Sequence, residues 1–439
     1  MSTPTGPAVK NTRSTVPFRV AVLLARYTVV RAETDRLCET LEHDDYQLQS
    51  MPEASPVKWH LAHTTWFFEH FLLSAHDPDY RPFHAVYAKL FNSYYDSVGS
   101  RVARPERGLL SRPTVPEIKL YRRRVDEAVN RWLTERGDNL PAAATEILEL
   151  GLNHEQQHQE LILTDLKHAF SRNPLAPVYA LGSKAKWSDA TTAPMRWVDF
   201  GGGLLDMGHI GHGFGFDNES PRHKAYLRPY QLGSRLVTAS EFIGFINAGG
   251  YDKSEYWLSD GWAVRDLQDW KCPEYWSKDE GGKWNAFTLG GQRPLTPSEP
   301  VTHVSFYEAD AYSRWAGVRL PTEYEWEIGS VGLHPTDGHY ADAGVFHPQP
   351  AERQPGDKGL AQMYGDCWEW TSSPYTAYPG YRPPVGPLGE YNGKFMCNQM
   401  VLRGGSCASP RGHLRPTYRN FFPPSSRWQF SGIRLARDV

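Results

Sequence analysis

Two histidines separated by one turn of a helix carry the clearest chemical signal in the sequence. His154 and His158, with Glu155 between them, form the pattern His-Glu-x-x-His. Side chains four residues apart lie on the same face of an α-helix, so both imidazoles can bind one metal ion. In zinc metalloproteases the same pattern supplies two ligands and, through its glutamate, a general base. The alternative is a pair of polar residues on a helix surface.

A zinc protease also requires a third ligand, which the sequence does not supply downstream. Leu161 and Thr164 occupy the positions at which one large protease group has glycine and histidine. No glutamate occurs between residues 161 and 218 that could serve instead. The pattern therefore disfavours a zinc metalloprotease, which stays as a minor alternative.

Upstream histidines could supply the third ligand from a facing helix; they are His60, His63, His70, His76 and His84. Three neutral imidazoles around one ion leave coordination positions open, which is typical of catalytic rather than structural sites. His63 lies on the apolar face of a predicted helix, where a buried imidazole needs a partner. A hydrogen-bonded core histidine and a metal ligand explain His63 equally well.

The elements that must hold these histidines are predicted to be helical. Apolar residues recur at helical spacing in four segments, at residues 18–42, 56–73, 117–135 and 142–170. Four helices predict a bundle whose core can hold a metal site built from facing helices.

The second half of the sequence has a different character, with short strands, frequent glycines and aromatic-rich loops from Met195 onward. A stretch rich in Pro, Ser, Ala and Thr precedes it and is typical of a linker. We expect four parts: a flexible tail at residues 1–16, the bundle at 17–175, the linker at 176–194 and the second domain at 195–439.

Composition excludes several classes of protein. Lys plus Arg (47) nearly balances Asp plus Glu (50), which argues against a broad basic surface for nucleic acid or an anionic membrane. The five cysteines are dispersed, as a reducing cytoplasm allows. We find no export signal and no segment of transmembrane length. A cytoplasmic, soluble protein is expected, and the sequence does not indicate its oligomeric state.

The segment from Ser55 to Trp66, followed by the pair His154 and His158, resembles a DinB-like four-helix bundle. More narrowly, it is similar to the N-terminal domain of the iron-dependent sulfoxide synthases (hercynine oxygenases) of ergothioneine biosynthesis. This resemblance implies a ligand set of His63, His154 and His158 for Fe(2+), and it leaves Glu155 on another side of the helix.

The C-terminal half independently resembles the formylglycine-generating-enzyme-like (sulfatase-modifying factor) domain, a C-type-lectin-related fold. The stretches that carry this resemblance are Gly202-Gly203-x-x-x-Met207-Gly208, Asp217-Asn218-Glu219-x-Pro221, Arg319-Leu320-Pro321-Thr322-Glu323, Trp368-Glu369-Trp370 and Arg403-Gly404-Gly405-Ser406. The two resemblances together imply an α+β protein. They also imply an O2-dependent enzyme that joins the sulfur of a thiol to the imidazole C2 of hercynine, giving a sulfoxide.

A long connection between the second and third helices carries candidate catalytic residues. Tyr94 and Tyr95 are adjacent there, and a tyrosine hydroxyl can donate a proton to reduced oxygen. A branch of the family uses such a pair, whereas ordinary aromatic packing is the alternative. Arg101 and Arg104 follow, and the resemblance implies that this region binds the carboxylate of the thiol substrate. Ordinary surface arginines are the alternative.

Four further residues are implied in substrate binding. Gln157 and Asn420 correspond to amides that hydrogen-bond the hercynine carboxylate in the family. Phe421 stands where many members have Trp and can face the trimethylammonium group; core packing is the alternative. Phe422 replaces an aspartate found in members that use γ-glutamylcysteine, so the sequence favours cysteine as the sulfur donor. A γ-glutamylcysteine or selenium donor stays as an alternative.

Other readings of the C-terminal half remain open. A formylglycine-generating enzyme needs two reactive cysteines, but Ser409 and Leu414 occupy the expected positions and Cys407 is expected to be buried and inert. A non-catalytic lectin-like binding module is disfavoured by the histidine set. A zinc-dependent thiol transferase of the DinB type would not need this second domain.

Overall fold

The computed structural model describes residues 18–179, 192–351 and 359–439. The predicted tail at 1–16 and most of the predicted linker at 176–194 lie outside these residues. Within the described parts, no helix combines the length and the apolar character needed to cross a bilayer.

The N-terminal half contains all four predicted helices. Its helical segments are α1 (Phe18–Arg36), α2 (Val57–Phe67), α3 (Ser74–His76), α4 (Tyr87–Phe91), α5 (Val115–Arg136) and α6 (Ala142–Ser171). A π-helical turn continues α2 into α3, so that the predicted second helix is one continuous rod.

The first helix ends earlier than the predicted boundary near residue 42. The chain turns after Arg36, and the Tyr46 hydroxyl donates to the Cys38 carbonyl at 2.8 Å. This bond satisfies a carbonyl beyond the helix end, which a regular helix would have bonded to its own backbone.

Buried charges hold α1, α5 and α6 together. The Glu155 carboxylate accepts hydrogen bonds from Arg31 Nη1 at 2.9 Å, Arg122 Nη2 at 2.7 Å and Thr34 Oγ1 at 2.7 Å. Burial alone would raise the pKa of Glu155, but the two guanidiniums outweigh it and lower the pKa to about 2. The Glu155 side of α6 is therefore fixed inside the bundle.

In its described residues, the C-terminal half is a mixed domain of short strands, four α-helices and short 3-10 turns. The helices are α7 (Ala239–Asn247), α8 (Ser259–Leu267), α9 (Phe306–Trp315) and α10 (Glu323–Ser330). The strands are β1 (Trp197–Phe200), β2 (Gly203–Met207), β3 (His223–Leu227), β4 (Tyr230–Gly233), β5 (Trp276–Lys278), β6 (Trp284–Thr288), β7 (Gly291–Pro294), β8 (Trp368–Pro374), β9 (Met400–Arg403), β10 (Asn420–Phe422), β11 (Ser431–Gly432) and β12 (Ala436–Asp438).

The strands form small sheets, and the four-stranded sheet β10-β9-β8-β11 contacts the bundle, where Trp368 of β8 bonds to Glu160 of α6. Strands β10 and β9 pair antiparallel, with Phe421 opposite Val401. Another sheet, β1-β4-β12, joins the start of this half to its end. The sheet order therefore brings Asn420, Phe421 and Phe422 together on one edge strand.

Three buried glutamates of the C-terminal half are structural. Each binds a buried arginine; the pairs are Glu323–Arg419 at 2.8 Å, Glu327–Arg403 at 2.6 Å and Glu369–Arg434 at 2.7 Å. Buried charges need such partners. Since Arg419 directly precedes β10, the first pair also anchors the strand that carries Asn420.

Helix α6 also docks against the C-terminal half. Glu160 accepts hydrogen bonds from Trp368 Nε1 at 2.8 Å, Ser406 Oγ at 2.5 Å and Ser409 Oγ at 2.6 Å. Two residues earlier on the same helix lies His158. The contact therefore sets the position of the His pair relative to the second domain.

We expect Glu155→Gln to lower the free energy of unfolding by about 2–3 kcal/mol, because it removes the buried negative charge that Arg31 and Arg122 share and leaves each with only a more exposed partner, Asp126 or Asp35. The matched control is Glu149→Gln, which breaks a surface ion pair with Arg26 between α1 and α6. It should lower the free energy of unfolding by less than about 1 kcal/mol. Chemical denaturation measures both values. Equal losses in the two variants would contradict the buried cluster.

The same carboxylate makes stability depend on pH. Its pKa of about 2 lies below the ordinary 4.5, so its contribution is complete above pH 4.5 and is lost as the pH falls through about 2. The difference in free energy of unfolding between wild type and Glu155→Gln should therefore decrease as the pH falls from 4.5 to about 2.

Candidate metal centre and substrate cavity

Three histidines from two facing helices converge in the bundle. His63 lies on α2, and His154 and His158 lie one turn apart on α6; one ring nitrogen of each lies within 4.8 Å of the others. The Nε2 atoms of His63 and His154 are 3.2 Å apart. All three side chains are buried. The predicted trio therefore forms a compact cluster of nitrogen donors.

The three rings are neutral, which metal binding requires. Burial lowers the pKa of His63 and His158 well below the ordinary value, and it lowers the pKa of His154 to about 3. Neutral imidazoles with facing nitrogens fit a divalent transition metal, and three such donors suit iron(II) and zinc(II) alike. The cluster thus accommodates the ion that the sequence implies without identifying it.

The ring of His63 is held from several sides. Its Nδ1–H donates to the Phe91 carbonyl at 2.6 Å, which leaves Nε2 free to face His154. Trp59 stacks on the ring with centroids 4.5 Å apart, and Trp66 stacks at 5.7 Å. These contacts fix both the orientation and the tautomer of His63.

A cavity of about 320 Å³ opens beside the histidines, between the bundle and the C-terminal half. His154 and His158 line it from α6, and Asn420, Phe421 and Phe422 line it from β10. Both halves of the chain therefore contribute to one concave site, which is typical of small-molecule binding.

The adjacent tyrosines differ in position. Tyr94 lines the cavity, whereas Tyr95 is fully buried behind it and packs against Trp66 and Phe71, with centroids 5.9 and 5.0 Å away. Burial raises the pKa of both phenols, so both hydroxyls stay protonated at neutral pH. Of the predicted pair, Tyr94 is the residue that borders the cavity.

The two predicted arginines also separate. Arg104 lines the cavity, but Arg101 is exposed and bonds to Asp96. Among the lining residues is a third arginine, Arg107, that the sequence analysis did not select. The spacing Arg101-x-x-Arg104-x-x-Arg107 was the available signal for it.

Arg107 is a buried cation without an acidic partner in the described part of the chain. Its guanidinium lies 3.4 Å from the Trp59 ring centre and donates to Ser55 Oγ and Ser93 Oγ, each at 2.9 Å. Only 2% of its surface is exposed, and burial lowers its pKa. Such a group favours an anionic ligand in the cavity.

Gln157 is fixed by two tyrosines of the C-terminal half. Its Nε2 donates to Tyr418 Oη at 2.7 Å, and its Oε1 accepts from Tyr391 Oη. Both tyrosines line the cavity, and the ring of Tyr391 lies 5.6 Å from His154. Sequence reasoning missed them, because they belong to irregular segments and to no motif singled out.

Aromatic rings back the predicted residues of β10. Phe421 stacks on Tyr375 with centroids 4.0 Å apart and planes 9° apart. Phe422 lies near Trp428, with centroids 6.4 Å apart. Phe421 and Phe422 therefore both lie on the cavity, each with an aromatic ring beside it.

Loops from the two halves are joined at the edge of the cavity. The backbone N–H groups of Asp96 and Ser97 donate to the Glu390 carboxylate at 2.8 and 3.0 Å. Glu390 directly precedes Tyr391, and Asp96 follows the tyrosine pair. The contact thus ties the loop of Tyr94 to the loop of Tyr391.

Residues that a protease or a formylglycine-generating enzyme would use are placed elsewhere. Glu155 faces the buried arginines, away from the cavity. Cys407 is fully buried, and burial raises the pKa of its thiol. Ser409 bonds to Glu160. These positions provide neither a general base beside the histidines nor a reactive thiolate.

Comparisons with known families match both halves. The sulfatase-modifying factor enzyme 1-like domain matches residues 185–439, and the DinB superfamily matches residues 26–162. They confirm the predicted α+β pairing of a helical DinB domain with a strand-rich second domain.

Two hercynine oxygenases match along nearly the whole chain, and a formylglycine-generating enzyme matches about half of it. The hercynine oxygenase of Mycobacterium tuberculosis is 34% identical, over 97% of this chain and 100% of that protein. The hercynine oxygenase of Mycolicibacterium thermoresistibile is 33% identical, over 97% of this chain and 96% of that protein. The formylglycine-generating enzyme of Streptomyces coelicolor is 31% identical, but over only 54% of this chain and 88% of that protein.

We expect His154→Ala to weaken Co(II) binding by more than about 100-fold, beyond the 10–100-fold effect typical of a residue outside the ligand set. The truncation removes one of three donors from a bundle held by other contacts, so the melting temperature should change little. His76→Ala, on α3, is the matched control and should bind Co(II) like wild type. Unchanged affinity of His154→Ala in equilibrium titrations would remove it from the ligand set.

Proposed function

Because the chain belongs to the hercynine oxygenase family, we propose that it is a non-haem iron(II) enzyme that makes hercynylcysteine sulfoxide from hercynine, cysteine and O2. The observation that carries the proposal is the buried cluster of His63, His154 and His158 beside a cavity shared by both halves. Iron(II) bound by these residues would supply the redox chemistry that couples reduction of O2 to oxidation of the sulfur.

The proposed reaction balances without a further reductant. Joining sulfur to the imidazole C2 removes one hydrogen from each partner and two electrons in all. Oxidising the sulfide to a sulfoxide removes two more electrons. One molecule of O2 accepts all four; one oxygen atom enters the sulfoxide and the other leaves as water.

In this proposal, hercynine binds at the border between α6 and β10. Amides are suited to a carboxylate, and Gln157 and Asn420 face the cavity from the two halves. The aromatic face of Phe421, supported by Tyr375, can attract a trimethylammonium group. Tyr391 and Tyr418 already orient the Gln157 side chain, so a hydrogen bond from Gln157 to the substrate costs less side-chain entropy.

The thiol is proposed to bind through its carboxylate at Arg104 and Arg107. Arg107 offers a desolvated guanidinium that forms no direct ion pair with the described residues, so a substrate carboxylate would complete one. The apolar surroundings of Phe422 and Trp428 disfavour a charged γ-glutamyl extension. This arrangement supports cysteine as the sulfur donor.

Tyr94 is the proposed proton donor of the tyrosine pair. It borders the cavity, and burial keeps its hydroxyl protonated, which a donor requires. Tyr95 packs behind it with ring centroids 4.8 Å apart and so holds the Tyr94 ring in place. The proton-donor role of Tyr94 and the positioning role of Tyr95 are both part of the proposal.

The decisive experiment reconstitutes the protein with iron(II) and supplies hercynine, O2 and either cysteine or γ-glutamylcysteine. We expect the mass of hercynylcysteine sulfoxide with cysteine, and none from His63→Ala. Absence of a hercynine-derived sulfoxide with either thiol would contradict the function. Turnover with γ-glutamylcysteine alone would contradict the role given to Phe422.

Replacing Arg107 separates substrate binding from stability. We expect Arg107→Met to raise the KM for cysteine about tenfold or more, because a charge-assisted bond to the carboxylate is lost. The melting temperature should hold or rise, since the variant removes an uncompensated buried charge. Arg101→Met, at the surface, is the control and should leave the KM for cysteine unchanged. A larger increase in KM for Arg101→Met than for Arg107→Met would indicate that Arg101 binds the substrate carboxylate instead.

A further inference from the structure

A fourth histidine lies beside the cluster, and the proposed metal site does not yet use it. His60 on α2 is 2% exposed, and its Nδ1 lies 2.7 Å from Nδ1 of His158. Its other nitrogen, Nε2, lies 3.0 Å from Oδ2 of Asp165. Both ring nitrogens of His60 are therefore engaged, one by a cluster histidine and the other by a carboxylate.

The carboxylate end of this chain of contacts is itself fixed. Oδ2 of Asp165 also accepts the backbone N–H of Ser55 at 2.8 Å. One oxygen atom thus receives two N–H groups, from Ser55, which lies two residues before α2, and from His60 in the first turn of α2. A carboxylate only accepts hydrogen bonds, so His60 must carry its proton on Nε2.

The remaining proton positions follow in order. With Nε2 of His60 protonated, the neutral ring presents a bare Nδ1 to His158. The short contact between the two Nδ1 atoms then requires Nδ1–H on His158 as the donor. In that tautomer the lone pair of His158 lies on Nε2, the nitrogen not engaged by His60.

We propose that Asp165 and His60 are positioning residues that fix the tautomer and ring orientation of His158 for metal binding. The inference rests on the proposed iron site. Hydrogen bonds from a metal-binding histidine to a carboxylate or carbonyl are a general way to orient the ring and strengthen the donor. Here an additional imidazole lies between the carboxylate and the ligand.

The three cluster histidines are held by different means. A backbone carbonyl orients His63, whereas Nδ1 of His154 has no hydrogen-bond partner among the described residues. His158 is the ligand whose orientation depends on two side chains, so substitutions can test it. Asp165 lies seven residues after His158 on α6, and its connection to His158 runs through His60 of α2.

The test measures Co(II) affinity and the Co(II) absorption bands of His60→Phe, Asp165→Ala and Asp165→Asn. We expect about 10–100-fold weaker binding in the first two, as for other residues outside a ligand set. Asp165→Asn should retain most of the affinity, because one amide oxygen can accept both N–H groups. If His60→Phe does not fold, Asp165→Ala carries the same comparison.

A matched control separates this role from packing. His347→Phe removes another buried histidine with a carboxylate contact, Glu299 at 3.2 Å, from the C-terminal half. It should lower the melting temperature as His60→Phe does but leave Co(II) affinity unchanged.

Two results would overturn the proposal: wild-type affinity in both His60→Phe and Asp165→Ala, or Asp165→Asn as weak as Asp165→Ala. If wild type binds Co(II) tightly but forms no sulfoxide after reconstitution with iron(II), only the proposed function is contradicted.

Discussion

The rotation of helix α6 about its own axis is the constraint on which the site depends. Glu155 is locked by Arg31 and Arg122 on one side of the helix. A helix is rigid over short distances, so this lock also aims His154 and His158 in a fixed direction. Without the ion cluster, the orientation of the helix would depend on the contacts of Glu160 with the second domain.

The site is composite, and the bundle docks where another enzyme class keeps its nucleophile. The expected cysteine position of a formylglycine-generating enzyme is Ser409 here, and its hydroxyl bonds to Glu160 of the bundle. Ser406 and Trp368 bond to the same carboxylate. Ser409 therefore helps to hold the helix that carries the histidine pair.

Much of this arrangement could be predicted from the sequence, since it depends on local periodicity. The four helices and the shared face of His154 and His158 follow from spacing alone. The sequence did not predict the roles of Arg107 and Tyr391 or the Asp165–His60 contact, because each depends on which segments meet in three dimensions. The resemblance pointed to Arg101 and Arg104, but only Arg104 borders the cavity.

The hydrogen bond between His63 and the Phe91 carbonyl joins the histidine cluster to the loop that carries Tyr94 and Tyr95. No side-chain substitution at residue 91 can delete this acceptor, because it belongs to the backbone. Only displacement of the chain can remove it, and the chain that follows carries Tyr94. Asn92 ties this loop to itself by accepting from the Tyr95 N–H and donating to the Tyr95 carbonyl. Any movement that withdraws the tyrosines therefore also loosens a histidine of the cluster.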